Sequence, residues 1–448
     1  MRLGTRKLLD RAFSGLGVAS IALMAAALLV IVTPIAVRGC GAFAFRATVE
    51  FRRMRWEKFA RGDRRAVEDE TELARAARQP VFDLLARFEK ELADGGLLMQ
   101  RKYSGPLEEL KARLRTLLGP LPGESRPVLA RDQYGQTRWD RALLKAQDVL
   151  FIQEYDHSDP TKMGVKKLVP RVEDFKGTSL EPLFPYVRDN LEAMLRPRAT
   201  LYWRFLFDDS IDAHFFGGVW AEMLGTFYLT VGAMLFAVPM GVIAAIYLVE
   251  YSREGRIVSV LRMFISTLAG VPSIVFGLFG LAFFILTLRL THSRSVLCGS
   301  LTLALLVLPT IIRAAEEAIR SVPQTYKEAA LSLGASRWRT IVTVILPAAL
   351  PGILTGTVIS MGRAAGETAP IIFTAAVSVG RPLALLETFS QPTPALPWNI
   401  YNIATEHQAV DEIRHVQFGM VLTLVILVFI LNLAAILLRA RVSKKLKG

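Results

Sequence analysis

The sequence predicts an all-α polytopic membrane protein, with six transmembrane helices and a mostly helical extramembrane domain between the first two. Three observations carry this. The 448-residue chain is 52% hydrophobic, with a positive mean hydropathy, although 21% of its residues are charged. The charge is kept apart from apolar runs of about 20 residues, the length that crosses a bilayer. Six such runs occur, at 17–37, 219–249, 260–288, 296–314, 351–377 and 418–438.

The first run follows Arg2, Arg6, Lys7 and Arg11, and the last precedes Arg439, Arg441, Lys444, Lys445 and Lys447. Lys and Arg beside a span favour the cytoplasmic side, and an even number of spans puts both tails there. The net charge of +14 therefore reads as membrane orientation rather than nucleic-acid binding. The stretch Val37-Arg38-Gly39-Cys40 is only a faint lipoprotein cleavage signal, because the arginine is wrong for it and the apolar run too long. Residues 1–37 are thus read as a cytoplasmic tail and a retained first span.

Residues 38–218 then lie outside, with 32 Lys+Arg against 28 Asp+Glu. Long translocated domains largely escape the charge rule. Leu84, Leu85, Phe88 and Leu92 recur at helical spacing, as do Leu107, Leu110, Leu114, Leu117 and Leu118. Gly95-Gly96 and the Pro/Gly cluster at 119–127 separate these pieces. The apolar run within 145–155 is compatible with a strand, and Leu183, Val187, Leu191 and Leu195 mark a further helix.

Residues 219–438 form a five-span block followed by a basic tail, 439–448. Arg253, Arg256 and Arg262 suit a cytoplasmic connection, whereas Arg289, His292 and Arg294 run against the charge rule. Val271-Pro272-Ser273 interrupts the third span. Pro382, Pro392, Pro394 and Pro397 make 377–417 an ordered or partly re-entrant external loop, with Trp398 and Tyr401 at the interface. Glu222, Thr226 and Thr230 share one face of the second span, Glu222 near its outer end.

Two motifs carry chemistry. The loop 315–347 is too polar to cross a membrane and contains Glu328-Ala329-Ala330, Gly334, then Leu346-Pro347. Residues 326–333 read as a short helix ended by Gly334, and Ser336 as the N-cap of a second short helix ending near Pro347. The result is a rigid knob with an alanine face; a helix lying on the membrane surface is the simpler alternative. The second motif is Arg363-Ala-Ala-Gly-Glu367-Thr368-Ala-Pro370. Ionisable groups at membrane depth usually face a bundle interior or a wet cavity. The spacing of four places Arg363 and Glu367 on one helical face, with Gly362 and Gly366 on the next for close packing. A structural salt bridge between helices is the alternative. On the path reading, the guanidinium fork suits a tetrahedral oxyanion. Phosphate, still protonated near neutral pH, can donate to Glu367 where sulfate cannot.

Other chemistry is not indicated. The five histidines, at 157, 214, 292, 407 and 415, show no ligand spacing, and Cys40 and Cys298 form no metal or disulfide framework. A Gly-rich loop of the form G-x4-G-K-[ST] does not occur, so ATP hydrolysis is expected in another chain.

These residues resemble a known family. The E-A-A-x3-G-x9-[IV]-x-L-P spacing is similar to the cytoplasmic loop of ABC-importer permeases, and 219–438 resembles the A-type permease of bacterial phosphate importers. The likeness includes the runs at 246–251, 271–278 and 363–370, while 38–218 is far longer than the usual external segment. The resemblance implies a type I permease core in the bacterial inner membrane, surrounded by lipid. It also implies a second, similar permease, a cytoplasmic ATPase dimer that binds the ATP, and a periplasmic phosphate-binding protein. It matches Arg363 to the family's intramembrane arginine, and Arg363, Glu367 and Thr368 are expected to line the translocation path. Glu328, Ala329, Ala330, Gly334, Leu346 and Pro347 fall to ATPase coupling. No cofactor, metal or catalytic residue is implied. A permease for molybdate or sulfate, or a membrane sensor that no longer transports, are the alternatives.

Overall fold

The computed structural model describes residues 3–155, 166–253, 255–407 and 410–447; His157 lies outside them. The chain divides into two units, Phe43–Trp203 and Met1–Ala42 with Arg204–Gly448. The limits fall inside the 38–218 stretch that hydropathy separates. Residues 204–218 are short turns that pack on the second unit's helices, with the Phe205 ring closing on Gly419.

The chain enters through α1 (Leu3–Phe43), whose apolar length is exposed along 11–33. A helix apolar on all sides belongs in lipid. Near its end Gly39 meets Leu422, and the Arg38 guanidinium lies 5.2 Å from the Phe418 ring centre.

The Phe43–Trp203 unit opens with β1 (Ala44–Ala47), α2 (Val49–Phe59), α3 (Arg64–Asp94) and α4 (Gly96–Leu118). It continues with α5 (Ala130–Gln133), α6 (Trp139–Leu150), β2 (Phe151–Tyr155) and β3 (Lys166–Pro170). It closes with α7 (Leu183–Leu195) and β4 (Arg198–Leu201). Strands β1 and β4 pair antiparallel with Ala44 opposite Leu201, and β2 pairs with β3. The leucines spaced along α3, α4 and α7 meet in one core with Phe88, Tyr103 and Phe175. Fully burying such side chains contributes about 1.5–3 kcal/mol each. The apolar run at 145–155 is strand only from Phe151, because Ala142, Ala146 and Val149 bury one face of α6 first.

The second unit resumes with the ribbon of β5 (Ser210–Ile211) and β6 (Phe216–Gly217), then α8 (Trp220–Ile246), which runs on through a π turn, Tyr247–Tyr251. Helices α9 (Arg256–Ala269) and α10 (Ser273–Gly280), with a π turn Leu281–Thr287, meet at a bend of 101°. Pro272 has no N–H to give and disfavours helix in the residue before it, so the helix breaks there. Then follow α11 (Val296–Arg320), α12 (Gln324–Ser332), α13 (Arg337–Thr340), a π turn Ile341–Ile345, and α14 (Leu346–Gly366). The chain ends with α15 (Ala369–Thr374), α16 (Leu396–Thr405) and α17 (Val410–Lys447). Among the described residues five helices are long and apolar enough to cross a membrane, or six if the bent pair α9–α10 counts as one span.

Helices α8, α11 and α14 form the centre, with Leu229, Ala233 and Ala237 against Leu303, Leu306 and Val307. On α14 the glycines that permit close approach to α11 are Gly352 and Gly356, not Gly362 and Gly366. A Cβ at Gly352 would lie 2.7 Å from the Ala318 methyl, and one at Gly356 2.2 Å from that of Ala314. Gly366 has open space around it, and a Cβ at Gly362 would make only ordinary contact, at 3.5 Å or more, with Asn432 and Val428. Small residues four apart on both helices let the backbones touch, and dispersion then holds helices that lipid cannot drive together. Arg294, which the charge rule disfavours, donates to the carbonyls of Ala376 (2.9 Å) and Ile372 (3.5 Å) near the end of α15. Helix-end carbonyls need such donors.

Gly356→Leu is expected to lower the stability of the detergent-solubilised subunit by about 1–3 kcal/mol or more, as overpacking does, whereas Gly366→Leu leaves it unchanged. Thermal unfolding of the two variants side by side checks this.

Candidate functional site

The polar loop between α11 and α14 is built by local rules. Helix α12 stops in a two-bond glycine cap: the Gly334 N–H donates to Leu331 O (2.9 Å) and the Ala335 N–H to Ala330 O (3.1 Å). Gly334 has φ +80°, a left-handed conformation that glycine adopts without a Cβ penalty. Ser336 then caps α13, its hydroxyl accepting from the Arg339 N–H at 3.3 Å. No residue of α12 is buried; Glu328 and Ala329 are exposed, and Ala330 is half-buried. Tyr326, Leu331, Leu333 and Trp338 extend the apolar exposed surface of the knob.

The second short helix does not end near Pro347. It passes through Ile341–Ile345 into α14, so Arg337–Gly366 is one continuous span and Leu346 and Pro347 lie inside it. Proline removes a hydrogen bond and crowds the carbonyl four residues back, here Thr343. Thr343 lies in the widened π turn, which takes up the misfit.

Arg363 and Glu367 do pair, Nε donating to Oε1 at 3.3 Å. They do not share a helical face, because α14 ends at Gly366 and Glu367 is extended (φ −75°, ψ 129°). Glu367 instead lines a narrow cleft with Thr226, Leu229 and Thr230 of α8, Leu303 of α11, and Ala395 and Pro397 at the start of α16. Arg363 and Thr368 stand outside that lining. At 1.5 Å per residue, Thr226, Thr230 and Leu303 lie about 9–15 Å inside the starts of their helices. The Arg363 side chain is 42% exposed and that of Glu367 19%.

At the start of α8 and of α16 lies a polar cluster of which sequence reading reached only part. Glu222 is fully buried, and Asn399 Nδ2 donates to its Oε1 at 3.3 Å. Thr226 donates to the Glu222 carbonyl (2.8 Å) and accepts from the Leu396 N–H (2.9 Å). His214 Nδ1 stands 3.7 Å from Glu222 Oε1 and accepts from the Ser210 hydroxyl at 2.8 Å. Its Nε2–H donates to Ser378 O at 3.1 Å, since a carbonyl only accepts. Four separate segments supply these groups, so spacing along the chain carries no signal of the cluster. Among the described residues there is no group of His, Cys, Asp and Glu able to hold a metal.

Residues 237–448 match the family described as the binding-protein-dependent transport system inner membrane component. The chain is 36% identical over 241 residues to the probable ABC transporter permease protein YqgI of Bacillus subtilis, covering 51% of this chain and 80% of that one. It is 38% identical over 239 residues to the phosphate transport system permease protein PstA 1 of Mycobacterium tuberculosis, covering 53% of this chain and 76% of the relative. The chain belongs to the PstA-type ABC permease family. It is thus a multi-pass protein of the bacterial inner membrane. The family region includes the knob at α12–α13 and the Arg363–Glu367 pair, and it starts after Glu222 and after the whole Phe43–Trp203 unit.

His214, in the turn before α8, is pushed down to about 4 by burial, with His407 lowering it further against the Ser378 bond. An unfolded histidine titrates near 6.5. Below that pH the unfolded chain binds a proton that the folded chain refuses, so stability is full above about 6.5 and falls as the pH drops towards 4. The loss reaches about 3 kcal/mol. Thermal unfolding between pH 4 and 7 should show this slope, and His214→Gln should flatten it.

Proposed function

We propose that this permease is the membrane subunit through which an ATP-driven importer carries inorganic phosphate into the bacterial cell. The observation that carries the reading is the exposure of Arg363. A guanidinium 42% open on a span of this depth cannot be left against lipid without a large penalty. A second, similar permease covering that face would turn it towards a shared path instead. There the fork of Arg363 meets the phosphate oxygens, and Glu367 accepts the proton that phosphate retains. The carboxylate also neutralises Arg363 when the path is empty, so the anion is not held too tightly. Thr368, the next residue along, lies beside that path. A purely structural pair would be expected inside the bundle, where Glu222 is, not on an open face. The PstA relatives, named as phosphate transport permeases, support the substrate class.

The exposed knob fits the ATPase dimer, with Glu328, Ala329 and Ala330 on the docking helix and Gly334 holding its end. Leu346 and Pro347 act from within the span that carries the knob. On this reading ATP is bound by that partner, a periplasmic phosphate-binding protein delivers the anion, and the Phe43–Trp203 unit stands on the periplasmic side.

Two results would test this. Arg363→Gln is expected to abolish phosphate uptake while the subunit still assembles, and Arg363→Lys to restore only part of it, because a point charge does not reproduce the fork. If both Arg363 and Glu367 are made apolar and uptake per assembled complex stays near normal, the path role is wrong. Gly334→Pro removes the N–H that caps α12 and forbids φ +80°, so it should loosen the ATPase and lower stimulated hydrolysis without changing the yield of the subunit. Pull-down of the ATPase from membranes checks it.

A further inference from the structure

Helix α12 buries none of its residues, so packing alone does not set its direction. One of its side chains is nonetheless well shielded. Lys327, 16% exposed, pairs through Nζ with Glu250, 10% exposed, in the π turn that ends α8. Beside this pair, Glu316 of α11 accepts through one oxygen from Arg262 Nε of α9 (2.9 Å) and from Arg320 Nη2 of its own helix (3.1 Å). Arg262 also reaches the carbonyl of Leu248, at the same end of α8 (3.4 Å). Arg262, Arg320 and Lys327 line one cleft with Leu248, Val249, Ser252, Val322 and Gln324.

We propose that these ion pairs are a transmission device: Glu250–Lys327 ties the ATPase-docking helix to α8, and Glu316 ties α9 and α11 to the same point. A push on α12 then moves the inner ends of three spans as one body. The charges are partly shielded from water, which strengthens their attraction and fixes their geometry. Backbone connection alone joins α12 to α11 and α13; it supplies no direct link to α8 or α9. The proposal rests on α12 being the ATPase-docking helix. Lys327 and Glu250 are positioning residues, since neither needs to touch the ATPase or the anion.

The test uses the full-length subunit, with Cys40 and Cys298 replaced by serine and a spin label on Ser332→Cys at the end of α12. Measured first is label mobility in the subunit alone; second is stimulated ATP hydrolysis per attached ATPase in the complex. Glu250→Gln and Lys327→Gln are each expected to raise label mobility and keep the ATPase attached. Stimulated hydrolysis per attached ATPase should fall by about five- to tenfold, the lower range of ordinary coupling between sites. The exchanged pair, Glu250→Lys with Lys327→Glu, should restore both readouts. Unchanged hydrolysis in the single variants would overturn the proposal, as would an exchange that repairs neither readout. Loss of the ATPase from the single variants would make Lys327 a docking residue and equally sink it. If the unsubstituted complex holds no ATPase, the docking reading fails and the transmission role falls with it; the mobility readout tells that failure apart from a missing ion pair.

Discussion

The approach of α14 to α11 sets the geometry of everything between them. In lipid, apolar side chains gain little by leaving one hydrocarbon environment for another, so helices associate where their surfaces allow backbones to touch. Gly352 and Gly356 lie on Ala318 and Ala314 with no room for another carbon. That contact fixes the height and rotation of α14, and with them the place where the helix stops and Glu367 turns into the cleft beside Thr226 and Leu303. A larger residue at either glycine would displace the cleft as a whole, although Glu367 lies about three or four turns away.

Where the bundle interrupts its helices, local turns and neighbouring side chains meet the freed polar groups. Gly270–Pro272 separates α9 from α10, and the run after Gly366 separates α14 from α15. Arg294 donates to carbonyls near the end of α15, Thr226 accepts from the N–H of Leu396, and Asn399 reaches Glu222. In hydrocarbon an unmet backbone group costs several kcal/mol. This accounts for the prolines and polar residues in 377–417 of a segment that nonetheless buries Leu396, Pro397, Asn399 and Ile403.

What was legible in the sequence was local. The glycine cap at Gly334 and the Ser336 N-cap follow from hydrogen bonds within a few residues, so both could be placed from spacing. The apolar runs located the spans for the same reason. Choices between partners were not legible. Four glycines on α14 offer two similar pairs, and only the position of α11 decides that Gly352 and Gly356 are the ones covered. The π turn at Ile341–Ile345 has no composition signature and turned an expected helix end into a continuous span. Arg363 and Glu367 are four apart, as in a helix, yet the pair forms across a helix end. His214, Glu222 and Asn399 come together from segments up to 185 positions apart, and their polarity was visible while their meeting was not.

The ribbon of β1 and β4 has a consequence for how such a chain can arise. It pairs the first strand of the Phe43–Trp203 unit with its last, Ala44 opposite Leu201, so entry and exit lie within one strand spacing. The intervening residues close on their own core, and the gap they leave in the chain is a single short step. A segment with adjoining ends can be gained, exchanged or lost between related proteins as a cassette, because joining the flanking chain again demands almost no rearrangement. The family's transport core and this appended unit are therefore free to diversify at different rates.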